Sequence, residues 1–132
     1  MRILSGIQPT GQFHLGNYLG ALKHWVDLSM QGENDCFYPV VDLHALTTVH
    51  DADILRKNIQ EAQIAMLAIG FDPTKCTLFL QSRVPAHTEL SWILTTLTSV
   101  GDLERMTQYK DKSAQLRKGE VVNAGLLTYP TL

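Results

Sequence analysis

The stretch Gly6-Ile7-Gln8-Pro9-Thr10-Gly11-Gln12-Phe13-His14-Leu15-Gly16-Asn17 lies between a short apolar run, Ile3-Leu4-Ser5, and a periodic one. An apolar run stopped by a glycine reads as a strand. From Leu15 the apolar residues recur at Leu19, Leu22, Val26 and Met30, which predicts one face of an amphipathic helix ending near Gly32. The stretch is therefore a strand-to-helix connection. Gly6 and Gly11 have the spacing of a phosphate-binding P-loop, but Gln12-Phe13 stand where Lys-Ser/Thr belongs, so no ammonium reaches a phosphate and no hydroxyl reaches Mg²⁺. The G-x-G-x-x-G dinucleotide fingerprint is absent as well. What remains is a two-glycine loop that delivers His14 and Asn17 to the start of a helix, where free N–H groups favour nucleotide phosphates. Gly16 leaves room for a flat ring against the backbone. Gly20, at a cost of about 1 kcal/mol relative to alanine in a helix, predicts close packing at that point. The plain alternative is a βα turn that binds nothing.

Working outward, Cys36 to Val41 is a continuous apolar run that reads as a buried strand, although Pro39 cannot donate to a ladder. Asp51 or Asp53 caps a second helix with the stripe Leu55, Ile59, Ala62, Met66 and Ile69, closed by Gly70 and Pro73. Thr77 to Gln81 reads as a third strand. Pro85 fits the first turn of a third helix carrying Leu90, Leu94, Leu97 and Val100. The order β-α-β-α-β-α predicts right-handed crossovers and a parallel sheet flanked by helices. Residues 105–118 hold Arg105, Lys110, Lys112, Arg117 and Lys118 against one acid, Asp111, and read as an exposed basic loop.

Composition narrows the classes. A chain of 132 residues fits one domain of ordinary size. The 45% hydrophobic content and net charge of −2 argue against wholesale disorder. No apolar run approaches the roughly 20 residues of a membrane span. The two cysteines, forty residues apart at Cys36 and Cys76, exclude a disulfide scaffold or zinc ribbon and fit a reducing cytoplasm. A pI near 6.2 excludes a protein whose main trait is a basic surface for nucleic acid. His50-Asp51 looks like the pair of metal phosphohydrolases, but the other ligands are missing, and no protein-held metal is expected. No G-x-S-x-G nucleophile motif occurs.

Four motifs then fall in order. His14-Leu15-Gly16-Asn17, preceded by Pro9-Thr10-Gly11, resembles the HIGH signature of class I aminoacyl-tRNA synthetases with Asn in the last place. It is followed by Val41-Asp42-Leu43-His44-Ala45-Leu46-Thr47, by Glu104-Arg105-Met106-Thr107-Gln108-Tyr109-Lys110-Asp111-Lys112-Ser113, and by Ala124-Gly125-Leu126-Leu127-Thr128-Tyr129-Pro130. Together, over residues 3–132, they resemble bacterial tryptophanyl-tRNA synthetases. The resemblance implies a Rossmann-like parallel sheet, with residues 1–132 forming the N-terminal part of the catalytic domain. The second half of that domain and an anticodon-binding domain are expected outside this sequence. It implies ATP at Gln8, Pro9, Thr10, Gly16 and Asn17, with His14 near the phosphates. It implies a tryptophan pocket at Leu4, Gly6, Val41 and His44, with Tyr129 on the α-amino group and Lys112 swinging onto the phosphates. Leu4 stands where the family commonly has an aromatic residue and His14 where it commonly has a hydroxyl. Taken alone, His44 reads as a structural histidine and residues 105–118 as a solvated loop; the motifs around them favour function.

The implied activity is tryptophan–tRNA ligation, begun by in-line attack of the amino acid's carboxylate on the α-phosphate of Mg²⁺-bound ATP. A carboxylate needs no base, so positioning and charge stabilisation by His14, Asn17 and Lys112 carry the catalysis. The implied partners are ATP, tryptophan, tRNA(Trp) and a second copy in a homodimer, in the cytoplasm, with neither membrane nor DNA. The family's K-M-S-K-S signature does not occur, and its indole-reading carboxylate is expected shortly beyond Leu132. Without that acceptor the contact that best separates tryptophan from tyrosine is missing. The 132 residues are therefore expected to bind ATP weakly, to activate tryptophan poorly and not to charge tRNA. A tyrosyl-type synthetase, a non-catalytic nucleotide-binding module and a purely structural fragment remain open.

Overall fold

Pro39 sits in the middle strand of a three-stranded parallel sheet, and its missing N–H shapes one edge of that sheet. The computed structural model describes residues 1–114 and 122–132, the side chain of Lys112 excepted. The strands are β1 (Arg2–Leu4), β2 (Asp35–Val40) and β3 (Thr77–Leu80), in the order β1-β2-β3. Arg2 pairs with Asp35, and Phe37 with both Leu4 and Thr77. Beyond Leu4 the ladder continues with Ser5 N–H to the Phe37 carbonyl (3.2 Å) and Ile7 N–H to the Pro39 carbonyl (3.0 Å). In that alternation the Ser5 carbonyl faces the nitrogen of Pro39, which has no hydrogen to give. β1 therefore stops at Leu4, and pairing returns only as an isolated bridge between Ile7 and Val40. Gly6 fills the gap. A Cβ there would lie 2.8 Å from Val41 Cγ1 and 3.1 Å from the Pro39 carbonyl oxygen.

The described residues divide into two compact units, Met1–Arg83 and Val84–Leu132. In the first, the helix predicted from Leu15 is present but composite: α1 (Leu15–Asn17), a π turn (Tyr18–Leu22) and α2 (Lys23–Met30) run on without a break. The π turn inserts one extra residue per turn and rotates the helix face. This corrects the apolar stripe. Leu22 and Ser29 are buried and Trp25 and Val26 pack on the core, whereas Leu15 and Leu19 are 70% and 59% exposed. The close packing expected at Gly20 is also absent: a Cβ there would meet nothing within 4 Å.

Asp51 caps α4 (Ala52–Ala68), its carboxylate accepting the N–H groups of Asp53 and Ile54, both at 2.9 Å. Ala62 and Met66 of the predicted stripe are buried against the sheet, and the chain leaves through Gly70 at φ +111°. Tyr38, with no exposed surface, centres this core. It stacks on Trp25 (centroids 5.4 Å apart), meets Phe71 edge-on and donates its hydroxyl to the Trp25 carbonyl at 3.0 Å.

The second unit is helical: α5 (Ala86–Leu97), α6 (Val100–Arg105), α7 (Thr107–Ala114) and α8 (Ala124–Thr128), then a 3₁₀ turn at Tyr129–Thr131. Two expectations are corrected. The third apolar stripe does not form a core face, since Leu90, Leu94, Leu97 and Val100 are all exposed. α5 instead meets the C-terminal turn through hydroxyls, Thr95 and Ser91 lying 2.7 and 3.3 Å from Thr131 Oγ1. Ser99, capping α6 through Asp102 N–H, ends the stripe before Val100. The basic segment is helical over Thr107–Ala114 and not a loop, because eight residues without glycine or proline follow the extended Met106. Its continuation, 115–121, lies outside the described residues.

Candidate nucleotide and amino-acid site

The first βα loop leaves the C-terminal end of β1, where ligand sites of parallel sheets gather. A cavity of about 520 Å³ lies over it, lined by Gly6, Gln8, Thr10, His14 and Asn17 with Trp25 behind. The residues predicted from the sequence thus converge, with two qualifications. Pro9 is fully buried beneath the loop and braces it. Gly16 does accept a flat ring against its backbone, but the ring is the imidazole of His14, whose Nδ1 and Cε1 would lie 2.9 and 3.0 Å from a Cβ added there.

His14 and Asn17 cap the helix reciprocally. His14 Nδ1 accepts the N–H of Gly16 at 3.1 Å, and Asn17 Oδ1 accepts the N–H of His14 at 3.1 Å. With Nδ1 accepting, Nε2 is the ring nitrogen left to donate. The helix start therefore holds its own substitute for an incoming anion. A phosphate that takes the Gly16 N–H must first displace the His14 ring. Among the described residues, the cavity lining carries no carboxylate.

The second part of the site follows β2. Val41 touches Gly6, and α3 (Asp42–Ala45) begins immediately after it. His44 Nδ1 lies 3.1 Å from the side-chain amide of Gln81, which is buried. Asp42, also buried, accepts the N–H of Ser82 at 3.0 Å. The turn after β3, Gln81–Arg83, is thus fastened to α3 by two side-chain contacts, one of which orients His44. Sequence reasoning did not single out Gln81 or Asp42. Gln81 could have been found from its place at the carboxyl end of a parallel strand, and Asp42 from its place inside the His44 motif. Leu4, at the end of β1, is 70% exposed.

The remaining predicted residues belong to the second unit. Tyr129 starts its C-terminal turn and is partly buried, and that burial pushes its phenol above the ordinary value. The Lys112 side chain lies outside the described residues, although its backbone is part of α7. No described helix is long and apolar enough to cross a membrane, and no described group of three or more His, Cys, Asp or Glu could hold a metal ion.

A three-stranded parallel sheet flanked by helices defines the Rossmann-like α/β class. Within that class the chain belongs to the family described as tRNA synthetases class I (W and Y), whose match covers residues 1–132. Among its relatives, tryptophan–tRNA ligase 2 of Streptomyces avermitilis is 54% identical over 132 residues, 99% of this chain and 38% of the relative. The tryptophan–tRNA ligase of Rhodopirellula baltica is 52% identical, over 100% of this chain and 40% of the relative. The chain thus spans about two-fifths of the length of these relatives. Tryptophanyl-tRNA synthetase of Campylobacter jejuni, solved with ADP and tryptophan, superposes with a TM-score of 0.90 at 41% identity, over 99% of this chain and 40% of that one. A tyrosyl-tRNA synthetase of Archaeoglobus fulgidus, 17% identical with a TM-score of 0.76, shares the fold. The Rossmann-like reading of the sequence is borne out.

Proposed function

We propose that the chain is the N-terminal, ATP- and amino-acid-binding part of a tryptophan–tRNA ligase, residues 1–132 being the first portion of its catalytic domain. The observation that carries this reading is the convergence of Gly6, Gln8, Thr10, His14 and Asn17 on one cavity at the carboxyl end of a parallel sheet. The identity of 52–54% to tryptophan–tRNA ligases supports the choice of amino acid. ATP lies against Gln8, Pro9, Thr10, Gly16 and Asn17. Its phosphates meet the helix N-terminus, where backbone N–H groups and the dipole favour negative charge. His14 rotates off the Gly16 N–H and presents Nε2–H to a phosphate oxygen. Leu4, Gly6, Val41 and His44 bound the tryptophan side chain, Gln81 holding the His44 ring. Tyr129 takes the α-amino group, and Lys112 adds its positive charge to the phosphates during in-line displacement of pyrophosphate. Mg²⁺ arrives on the triphosphate and supplies charge neutralisation there. The whole protein would act on tRNA(Trp) in the cytoplasm as a homodimer.

The test is calorimetric titration of the chain with Mg-ATP and with tryptophan or tyrosine, followed by amino-acid-dependent pyrophosphate exchange. Weak ATP binding that Asn17→Ala reduces, with tryptophan preferred over tyrosine, is the expected result. A tyrosine preference overturns the amino-acid assignment. ATP binding with no amino-acid response points to a non-catalytic nucleotide module, and no ATP binding at all overturns the site. Robust charging of tRNA by the 132 residues would refute the expectation that they are impaired alone.

A further inference from the structure

The two halves of the cap on the first helix are held by different atoms of His14. Its ring Nδ1 accepts the Gly16 N–H at 3.1 Å, and the ring lies so close over Gly16 that an added Cβ would fall 2.9 Å from Nδ1 and 3.0 Å from Cε1. Its backbone N–H is held separately, by Asn17 Oδ1 at 3.1 Å. The residue is exposed and borders the cavity of about 520 Å³ over the loop. The ring can therefore leave Gly16 by side-chain rotation alone, with the backbone and the Asn17 half of the cap in place.

What holds the ring there is a lone pair. A neutral imidazole can accept a hydrogen bond at one nitrogen, whereas an imidazolium carries a proton on both and can only donate. Protonation thus removes the acceptor for Gly16 and, in the same step, places a positive charge on the cavity wall. Histidine is the side chain whose charge ordinarily changes between about pH 5 and 8. Among the described residues no other titratable side chain lines this cavity, its polar members being Gln8, Thr10, Gln12 and Asn17. Along the helix that follows, the next titratable groups in sequence are Tyr18, Lys23 and His24, none of which lines the cavity, and Lys23 is engaged with Asp27 at 3.0 Å.

We propose that His14 is a proton-operated latch on the nucleotide site: the neutral ring closes the helix start against phosphate, and the imidazolium opens it. The inference rests on the reading of this cavity as the ATP site and adds its regulation. With the ring neutral, a phosphate oxygen that takes the Gly16 N–H must first break the contact with Nδ1. With the ring protonated, that contact is already gone, and the displaced imidazolium attracts the phosphates in place of competing with them. The coupling is reciprocal, so phosphate bound at the helix start must favour protonation of the ring by the same factor.

The test is calorimetric titration of the 132-residue chain with Mg-ATP at about pH 5.5 and about pH 8, beside His14→Thr. Threonine keeps a cap acceptor that does not titrate in this range. An N-cap acceptor corresponds to about 2–30-fold in an equilibrium constant. The ratio of affinities at the acid and alkaline pH should therefore be larger by about that factor in the parent than in the variant, a comparison in which titration of ATP itself cancels. Near neutral pH the parent should also take up protons as Mg-ATP binds, measured in buffers of different ionisation enthalpy. That uptake decides alone if the variant does not fold. Equal affinity ratios in the two folded proteins, or no proton uptake by the parent, would overturn the latch and leave the ATP site standing. Absence of ATP binding at both pH values would overturn the two together.

Discussion

Replacing Gly6 with alanine should destabilise the first unit through one added methyl group. The new Cβ would stand 2.8 Å from Val41 Cγ1, 3.1 Å from the Pro39 carbonyl oxygen and 3.2 Å from Pro39 Cγ. Ordinary carbon contacts lie near 3.5–4.0 Å, so the closest is short by about 0.7 Å or more. None of the three neighbours yields easily. Val41 is β-branched with few rotamers, Pro39 is a ring, and the carbonyl is held by Ile7 N–H at 3.0 Å. Overpacking of this kind costs about 1–3 kcal/mol. Gly20→Ala is the matched control, because its Cβ meets nothing and the helix gains about 0.5–1 kcal/mol from alanine. The assay is urea unfolding followed by Trp25 fluorescence in a Trp92→Phe background. Trp92, 71% exposed in the second unit, is the other of the two tryptophans. Gly6→Ala should lower stability and Gly20→Ala raise it. Equal stability of Gly6→Ala and its parent would refute the claim that Pro39 and Val41 close tightly on this backbone.

Three further outcomes follow from the same geometry. Asp51→Ala removes the acceptor for two helix N–H groups and should cost about 0.5–2 kcal/mol in urea unfolding, while Asp51→Asn should cost less. Gln81→Leu leaves the His44 ring without its amide partner, so tryptophan affinity measured by calorimetry should fall while ATP affinity stays unchanged. Hydrogen bonds from Thr74, backbone and hydroxyl, hold the Asp72 carboxyl below the ordinary carboxylate range. Its contribution to stability is present above the unfolded-state pKa and is lost as pH falls through the lower folded-state value. Asp72→Asn should therefore be less stable than the parent near neutral pH, and unfolding curves should converge in strong acid.

Elements whose signals are local were legible. The Asp51 cap, the stripe of α4 and the glycine-bounded first loop each rest on residues within one turn of each other, and the structure places them as read. Pro39 was legible as an anomaly, but its meaning required the partner strand: only the register against Ser5 shows which hydrogen bond is missing. The stripes of α1–α2 and α5 misled for different reasons. In the first a π turn broke the constant angle per residue that periodicity assumes. In the second, hydroxyls that look polar on a helical wheel make the contacts, and leucines that look like core are exposed. Of the candidate site, His14 and Asn17 were visible from their place between a two-glycine loop and a helix, whereas Gln8, Pro9 and Thr10 came only with the motif resemblance. Gln81 was not, because its role depends on a histidine 37 positions away.

The sheet also imposes an order in time. It contains no hairpin: Arg2 meets a partner 33 residues on, at Asp35, and Phe37 waits forty residues for Thr77. At a synthesis rate of roughly 5–20 residues per second, β1 stays single for seconds after it is made. β2, the most deeply buried strand, completes its pairing only when β3 has emerged. Such non-local pairing is slow, and unpaired strand edges are prone to meet other chains. The helices between the strands are the parts able to form meanwhile, which makes α4, with its early Asp51 cap, the element best placed to shield β2 before the sheet closes.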